Sequence, residues 1–186
     1  EGLSGLQLLR RIREHFGGYR SHTALLAGAA GVAVLALLFY VVPDLMPPVA
    51  RVVVGAVRGD GAVADSGAAY VFERDGASGW SEVARLQASD GATDDWFGHA
   101  VAISGDRIVV GAPLTNDNGN QTGSAYVFER QAGGAWLQVD KFVPSGAAAG
   151  DTFGYGVAID GDRIVLASLV GGTFVFERQG SGAWQE

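Results

Sequence analysis

The sequence predicts an all-β protein made of repeated four-stranded antiparallel units, preceded by one transmembrane α-helix. Glycine is abundant, with 29 copies against 5 prolines in 186 residues, and it punctuates runs of Val, Ile, Phe and Tyr. That composition is typical of many short strands joined by tight turns. Two further observations complete the prediction: a fixed spacing repeats after residue 50, and an uncharged stretch of 19 residues precedes it.

Charge and cysteine content narrow the function classes. The chain contains no cysteine, which excludes disulfides and cysteine-based metal or redox chemistry. Its net charge is −7, and residues 43–186 carry nine basic against eighteen acidic side chains. An acidic body argues against binding to nucleic acid, which requires a basic surface.

The uncharged stretch runs from Ala24 to Val42 and is long enough to cross a membrane. At ~1.5 Å per residue, a helix of this length spans close to the ~30 Å hydrocarbon layer. A buried core helix would show a polar face, and a signal peptide would be shorter and would end at a small-residue cleavage site. We therefore predict an uncleaved anchor over 24–42, followed by a proline-rich linker over 43–51.

The charges that flank the span predict its orientation. Four arginines, at positions 10, 11, 13 and 20, precede it, which places the N-terminus in the cytoplasm. Residues 1–23 are then a cytoplasmic amphipathic segment. The repeats lie on the periplasmic or extracellular side of the cytoplasmic (inner) membrane.

Small residues on the predicted anchor favour contact with another helix. Ala24 and Gly28 form one small-xxx-small pair, and Ala27 and Gly31 form a second. Such pairs allow two helices to approach closely in lipid. The alternative is that alanine and glycine are simply common in membrane spans.

The region after residue 50 is self-similar at a spacing of 56 residues. The segment Val52–Val57 recurs as Ile108–Pro113 and again as Ile164–Leu169. A second motif, Tyr70–Arg74, recurs after 56 and then after 48 residues, so the third copy has lost eight residues between Leu169 and Thr173. Loops are where repeats tolerate such changes in length.

One complete unit shows four strand signals. These strands are predicted at Phe97–Ser104, Arg107–Pro113, Ser124–Arg130 and Trp136–Val143. The first two are joined by Gly105-Asp106, and by Gly161-Asp162 in the next copy. A two-residue loop with glycine first predicts a type II′ hairpin, because glycine adopts the required positive φ at little cost. A four-stranded antiparallel meander of this length is typical of one propeller blade.

The spacing of three motifs resembles the FG-GAP repeat. The motifs are Phe97-Gly98, Gly105-Asp106 and Gly111-Ala112-Pro113, with Phe153-Gly154 and Gly161-Asp162 in the next copy. The resemblance covers about 52–186 and implies the β-propeller fold of integrin α subunits and many bacterial surface proteins. We expect each Phe to pack between blades and each Gly to permit close backbone approach.

The calcium loop of the integrin form is missing from this sequence. In the integrin form, that loop lies in the hairpin just before the Val-Gly-Ala-Pro strand. The corresponding hairpin of this chain is only two or three residues long, too short to supply the ~6–8 oxygens that calcium requires. A second loop carries oxygen ligands but no closing acidic residue. Its weak metal candidates are Asn116, Asp117, Asn118 and Asn120. We therefore expect a calcium-free variety of the repeat, with no metal and no cofactor.

The number of strands predicts an incomplete propeller. The first copy lacks its Phe-Gly strand and the third stops before its fourth strand, which leaves about 2.5 repeats and 10 or 11 strands. Closed propellers have ~4–8 blades of four strands. We expect that the chain continues beyond residue 186, or that a partner or a second copy covers the open edges.

No combination of residues predicts catalysis. His99 is replaced by Tyr155 in the next copy, and Asp94, Asp95 and Asp151 precede the Phe-Gly motif, where turn roles are commoner than acid/base chemistry. Arg58-Gly59-Asp60 spells an integrin-binding tripeptide, which occurs easily by chance in a chain of this composition. The protein is therefore predicted not to be an enzyme.

The favoured function is a membrane-anchored binding or scaffold module. We expect an accessory or structural subunit of a membrane complex that contacts lipid and a membrane protein partner through the anchor helix and the β-domain. One alternative is a surface adhesin or receptor that binds protein or glycan through propeller loops. Another is a non-catalytic propeller fragment of a larger enzyme.

Overall fold

The computed structural model describes residues 50–75 and 79–186, which form eleven strands in three antiparallel sheets. Repeat 1 contains β1 (Arg51–Ala56), β2 (Ala68–Asp75) and β3 (Gly79–Leu86). Repeat 2 contains β4 (Val101–Ser104), β5 (Arg107–Ala112), β6 (Ser124–Arg130) and β7 (Trp136–Phe142). Repeat 3 contains β8 (Gly156–Asp160), β9 (Arg163–Ala167), β10 (Thr173–Arg178) and β11 (Trp184–Gln185).

The predicted membrane segments lie outside the described residues. They are the cytoplasmic segment 1–23, the span 24–42 with its small residues Ala24, Ala27, Gly28 and Gly31, and most of the linker 43–51. Within 50–75 and 79–186, no helix has the length and apolar character needed to cross a bilayer.

The sheets confirm the all-β prediction and its antiparallel meander. Repeat 2 has the strand order β4-β5-β6-β7, with each strand paired to the next along the chain. Repeat 1 has three strands among the described residues. Repeat 3 differs from the prediction, because Trp184-Gln185 pairs with Arg178 and Glu177 and so begins the fourth strand that was expected to be missing.

The prediction that the first strand of repeat 2 begins at Phe97 is wrong. Strand β4 begins at Val101, because Trp96 and Gly98 adopt positive φ angles of 60° and 90° that interrupt an extended backbone. Phe97 instead forms an isolated parallel bridge with Gly67 of repeat 1. The Phe-Gly motif is therefore a connection between repeats and not the start of a strand.

The two hairpin turns have the geometry predicted for them. Gly105 and Gly161 have φ angles of 58° and 55°, whereas Asp106 and Asp162 are not among the residues with positive φ. Positive φ at the first position alone fits a type II′ turn. Pairing of Ser104 with Arg107 closes the first of these two-residue loops.

The hydrophobic core lies between the repeats. Along β5, Ile108 and Val110 belong to a cluster with Val71 and Leu86 of repeat 1, whereas Val109 belongs to a second cluster with residues of repeat 3. Since side chains alternate along a strand, β5 is buried on both faces. Each sheet therefore obtains its core from its neighbours.

Two glycines set how closely adjacent repeats approach. A Cβ added to Gly111 would lie under 3.0 Å from the carbonyl oxygen of Gly154, and one added to Gly55 would lie equally close to that of Gly98. The Phe-Gly segment of each later repeat thus rests against the glycine of the Gly-Ala pair in the repeat before it. The ring of Phe97 is buried edge-to-face against Tyr126 and Phe128, with centroids 5.5 and 6.0 Å apart.

A second set of contacts, which we call the ion-pair ladder, joins the repeats at their hairpin ends. Arg107 binds Glu129 of its own sheet at 3.0 Å and Asp162 of repeat 3 at 2.7 Å. Arg178 of repeat 3 also reaches Glu129, at 3.0 Å. The junction between repeats 1 and 2 repeats this arrangement. Its members are Arg51, Glu73, Asp106 and Arg130.

We predict that Gly111→Ala destabilises the fold by about 3 kcal/mol, because the new methyl group meets backbone that cannot rotate away. Gly133→Ala is the control, since a Cβ there meets nothing within 4 Å, and it should change stability by less than about 0.5 kcal/mol. Denaturant unfolding of the full chain, followed by tryptophan fluorescence, measures both. Equal effects would contradict the close-approach argument.

We predict that Arg107→Met lowers the free energy of unfolding by about 1–2 kcal/mol, because it removes the ion pair to Asp162 and the hydrogen bond to the Gly161 carbonyl oxygen. The matched control is Arg58→Met, because exposed Arg58 makes no ion pair within the described residues. The same unfolding assay should show little change for the control. If Arg107→Met left the free energy of unfolding unchanged, the ladder would contribute nothing to stability.

Candidate functional site

The repeat-signature residues lie at the junctions between repeats. Phe97 and Phe153 are buried, and Gly98, Gly111 and Gly154 form the close backbone contacts already described. Ala112 and Pro113 are buried as well. The turn residues Gly105 and Gly161 present Asp106 and Asp162 to arginines of the preceding repeat. All parts of the motif therefore contribute to the contact between one repeat and the next.

The weak metal candidates lie in the loop between β5 and β6. The side-chain oxygen of Asn116 accepts a hydrogen bond from the backbone N–H of Gln121 at 2.8 Å, and the backbone N–H of Asn118 donates to the Thr122 hydroxyl at 3.1 Å. Asp117 forms an ion pair with Lys141. Among the described residues, no group of three or more His, Cys, Asp or Glu side chains has a metal-binding arrangement.

Lys141 is the centre of a polar cluster that the sequence did not reveal. Its Nζ lies 2.6 Å from Asp90 Oδ2, is paired with Asp117, and lies 5.2 Å from the centre of the Tyr126 ring. The Tyr126 hydroxyl donates a hydrogen bond to the other Asp90 oxygen at 2.9 Å. We call these four residues, Asp90, Asp117, Tyr126 and Lys141, the Lys141 cluster.

These contacts shift the pKa values of Asp90 and Lys141 in the directions that favour their charged forms. Burial raises the pKa of Asp90, but hydrogen bonds from Lys141 and Tyr126 outweigh burial and leave it below its usual value. Burial lowers the pKa of Lys141, yet its bonds to Asp117 and Asp90 raise it overall. The cluster therefore favours a charged Lys141 ammonium beside a charged Asp90 carboxylate, an arrangement suited to bracing loops.

The aspartates before each Phe-Gly motif act within turns. Asp95 is buried and accepts a hydrogen bond from the Ala92 amide at 2.7 Å, and Asp151 accepts one from the Ala148 amide at 2.6 Å. Burial raises the pKa of Asp95, partly offset by the Ala92 hydrogen bond. The same turn thus occurs in two repeats, which favours a structural role for both carboxylates.

Three aromatic rings form a row across the junction of repeats 2 and 3. Trp96 stacks on His99 with centroids 5.9 Å apart, and His99 contacts Tyr155 at 4.4 Å. A ring nitrogen of His99 lies 3.2 Å from the Tyr155 carbonyl oxygen. His99 therefore packs against the residue that occupies its own position in the next repeat.

An open groove of about 380 Å³ lies along the ion-pair ladder between repeats 2 and 3. Its lining includes Arg107, Glu129, Arg130 and Arg178. These arginines already bind carboxylates of the ladder, so the groove presents compensated charge and not a set of free cations. This arrangement does not favour an anionic ligand.

The tripeptide Arg58-Gly59-Asp60 lies in the loop between β1 and β2. The Asp60 carboxylate accepts a hydrogen bond from the Asp65 amide at 3.4 Å, and the Gly59 carbonyl accepts one from Gly67 at 2.9 Å. Both contacts lie within the same loop, so they help to set its conformation. That the tripeptide occurs by chance stays a prediction.

The first end of the array exposes apolar positions that are buried elsewhere. We call the surface formed by these positions the repeat 1 face. Its members are Val52, Val54, Tyr70, Phe72 and Trp80, the counterparts of the residues through which repeat 2 packs on repeat 1. Val54 is 47% exposed whereas its counterpart Val110 is 0% exposed, and Trp80 is 50% exposed whereas Trp136 is 8% exposed. The repeat 1 face is thus a packing surface without a neighbour among the described residues.

The other end of the array has a corresponding surface. We define the repeat 3 face as Val165, Leu169, Val170 and Val175, together with the charged Arg163 and Glu177. Val175 is 49% exposed, whereas Val127 at the same position of repeat 2 is 0% exposed. Leu169 and Val170 lie in the shortened loop and are also exposed. These two faces are the strongest candidate functional surfaces of the described residues.

We predict that Asp90→Asn lowers the free energy of unfolding by about 1 kcal/mol at neutral pH, a modest value because the carboxylate is half exposed. The folded-state pKa of Asp90 is lowered, so its stabilisation is present above its unfolded pKa and is lost as the pH falls through the folded pKa. The difference between parent and variant should therefore narrow below about pH 4.

Urea unfolding at a series of pH values measures this difference. Asp160→Asn is the control, because Asp160 is exposed and its side chain makes no hydrogen bond or ion pair within the described residues. A difference for Asp90→Asn that stays constant from neutral to acidic pH would contradict the assigned ion pair.

Comparison with known proteins identifies the repeat. The chain matches the FG-GAP repeat over residues 80–128 and 136–183, which together are just over half of its length. Each match begins in or at the outermost strand of one repeat and continues through the Phe-Gly motif into the next sheet, so it includes the junction described above. No curated protein matches the chain. The chain belongs to the FG-GAP repeat family.

Proposed function

We propose that this protein is a membrane-anchored binding or scaffold module that serves as an accessory or structural subunit of a membrane protein complex. The repeats would lie on the outer side of the cytoplasmic membrane, held by the predicted span 24–42. FG-GAP repeats and their propeller-like sheets support the binding or scaffold role. The anchor and its orientation rest on the uncharged stretch and the preceding arginines.

The observation that carries this proposal is the exposure of the repeat 1 face. Positions equivalent to Val52 and Val54 are fully buried in repeat 2, where a neighbouring repeat covers them. Burying one such side chain contributes roughly 1.5–3 kcal/mol. An apolar patch of this kind on an otherwise acidic domain is a typical protein interaction site.

The use of the charged groups supports a non-enzymatic role. The arginines and glutamates of the ladder hold repeats together, and the Lys141 cluster braces loops through ion pairs. The buried Asp95 completes a turn. Because these groups serve the fold, we assign none of them a role as an acid, a base or a nucleophile.

We predict that Val54→Asp removes the protein from its membrane assembly. The full chain would be extracted from its native membrane with a mild detergent, and the mass of the particle would be measured by native mass spectrometry. The particle that contains the parent chain should have a mass well above the 19.2 kDa of one chain. The particle of the Val54→Asp variant should be closer to 19.2 kDa, because burying an unpaired carboxylate in the interface costs free energy.

The matched control is Leu137→Asp, because Leu137 is about as exposed as Val54 but lies on the outermost strand of the middle repeat. This variant should leave the assembly unchanged. A parent chain that is extracted only as a single copy without partners would overturn the proposed function.

A further inference from the structure

We propose that the repeat 3 face of one copy docks on the repeat 1 face of a second copy, head to tail. This inference rests on the proposed function and names the occupant of the interaction surface. It follows from three features of the two junctions inside the chain: their ion pairs, their arginine–tryptophan contacts and their close glycine contacts. The two faces carry complementary halves of one of the two ion pairs and of the arginine–tryptophan contact. They depart from the close glycine contact in a matching way.

Two ion pairs cross each junction, and one of them leaves a partner at each end; the other does not, because Ala50 stands where repeats 2 and 3 have Asp106 and Asp162. Inside the chain, the Arg of each later repeat binds the Glu of the repeat before it, as in Arg130–Glu73 and Arg178–Glu129. Arg74 occupies the same position in repeat 1 and is exposed, and Glu177 occupies the Glu position in repeat 3. A second copy docked in register brings Glu177 to Arg74 and so forms the same pair.

The arginine–tryptophan contacts leave a second complementary pair. Arg51 lies 6.0 Å from the Trp136 ring of repeat 2, and Arg107 lies 6.0 Å from the Trp184 ring of repeat 3. The next pair in this series is Arg163 with the Trp80 of another copy. The side chain of Arg163 is 73% exposed, compared with 22% for Arg107, and Trp80 is the exposed ring of the repeat 1 face.

The third feature distinguishes repeat 1 from any unit that carries a Phe-Gly motif. Ala167 stands where repeats 1 and 2 have Gly55 and Gly111, and a Cβ at either glycine would fall under 3.0 Å from the backbone of the incoming Phe-Gly segment. Repeat 3 therefore cannot receive a Phe-Gly segment in the way the other repeats do. The spacing of 56 places Val41-Val42, and no Phe-Gly, at that position of repeat 1. The repeat 3 face, with Ala167 in place of a glycine, thus fits repeat 1, the one repeat of this chain that lacks the Phe-Gly motif.

The symmetry of such a contact sets the size of the assembly. A head-to-tail interface is heterologous, and it closes into a ring when the rotation between copies allows. Two copies bring together six repeats, within the ~4–8 blades of closed propellers. Closure covers both terminal faces, and it leaves no apolar packing surface open to aggregation.

Cysteine cross-linking tests the proposal directly, because the chain has no cysteine of its own. Full-length Val54→Cys and Val175→Cys chains with different tags would be purified in mild detergent, mixed and treated with a short bismaleimide. We expect cross-links between differently tagged copies in the mixture. Pairing Leu137→Cys with either chain is the control and should give ~10-fold less product.

A charge exchange tests the register of the contact. Arg74→Glu and Glu177→Arg should each reduce the cross-link yield by ~10-fold, because each places like charges opposite one another. The double variant should restore the yield to within about twofold, because the pair is re-formed with reversed charges. Failure of the double variant to recover, with each single variant folded as judged by circular dichroism, would overturn the proposed register.

The outcomes separate this inference from the proposed function. If the purified chain stays a single copy while the native assembly is larger and is lost in Val54→Asp, another protein occupies the repeat 1 face, and only the second-copy inference fails. An intact native chain heavier than 19.2 kDa, with further repeats covering the face, would overturn it as well. If neither preparation forms an assembly, both proposals fail.

Discussion

The close approach of the Phe-Gly segment to a bare glycine backbone is the constraint on which the array depends. Because Gly55 and Gly111 lack a Cβ, the backbone at Gly98 and Gly154 can rest directly on them. That contact fixes the distance and register between adjacent sheets. With the sheets so placed, Ile108 and Val110 reach the core of repeat 1, and Arg107 reaches Asp162. The apolar clusters and the ion-pair ladder therefore both depend on the absence of a side chain at these two glycines.

An array held in this way buries its middle repeat on both faces and leaves the terminal faces of the described residues exposed. Among the described residues, the packing clusters join each repeat to its neighbours along the chain, as in other repeat proteins, so the internal sheet buries both faces and a terminal sheet buries one. The sequence keeps apolar residues on the unburied face of repeat 1, where a polar surface would give better solubility. A terminal repeat that ended the array would be expected to carry a polar outer face. Exposed Val54 and Trp80 do not match that polar outer face.

Repetition made most of the fold predictable, and features without repetition stayed hidden. The spacing of 56 residues located the strands, and glycine in the Gly-Asp pairs gave the turn type, because both depend on local chemistry that recurs. The start of β4 was misplaced because the positive φ of Trp96 is imposed by packing and not by its own propensity. The Lys141 cluster joins Asp90 and Lys141 over 51 residues. Its cation–ring contact recurs in repeat 1 as Arg85 over Tyr70, but Gly61 stands where repeat 2 has Asp117, so comparison of the copies did not reveal the carboxylates. The exchange of glycine for Ala167 was visible in the sequence, but its meaning required the distance to the neighbouring backbone.

The differences between repeats 2 and 3 are concentrated on one side of the sheet. On the side that packs against repeat 2, Ile164, Leu166 and Phe176 are as buried and apolar as their counterparts. On the other side, Ala167 replaces a glycine, Thr173 replaces a buried alanine, and eight loop residues are missing. The inner side is held by its contacts with repeat 2. The outer side is free of those contacts, yet it retains Val165, Val175 and the Arg163–Glu177 pair. A face that loses the means to receive a Phe-Gly motif but keeps its apolar and charged groups is suited to a neighbour that lacks that motif.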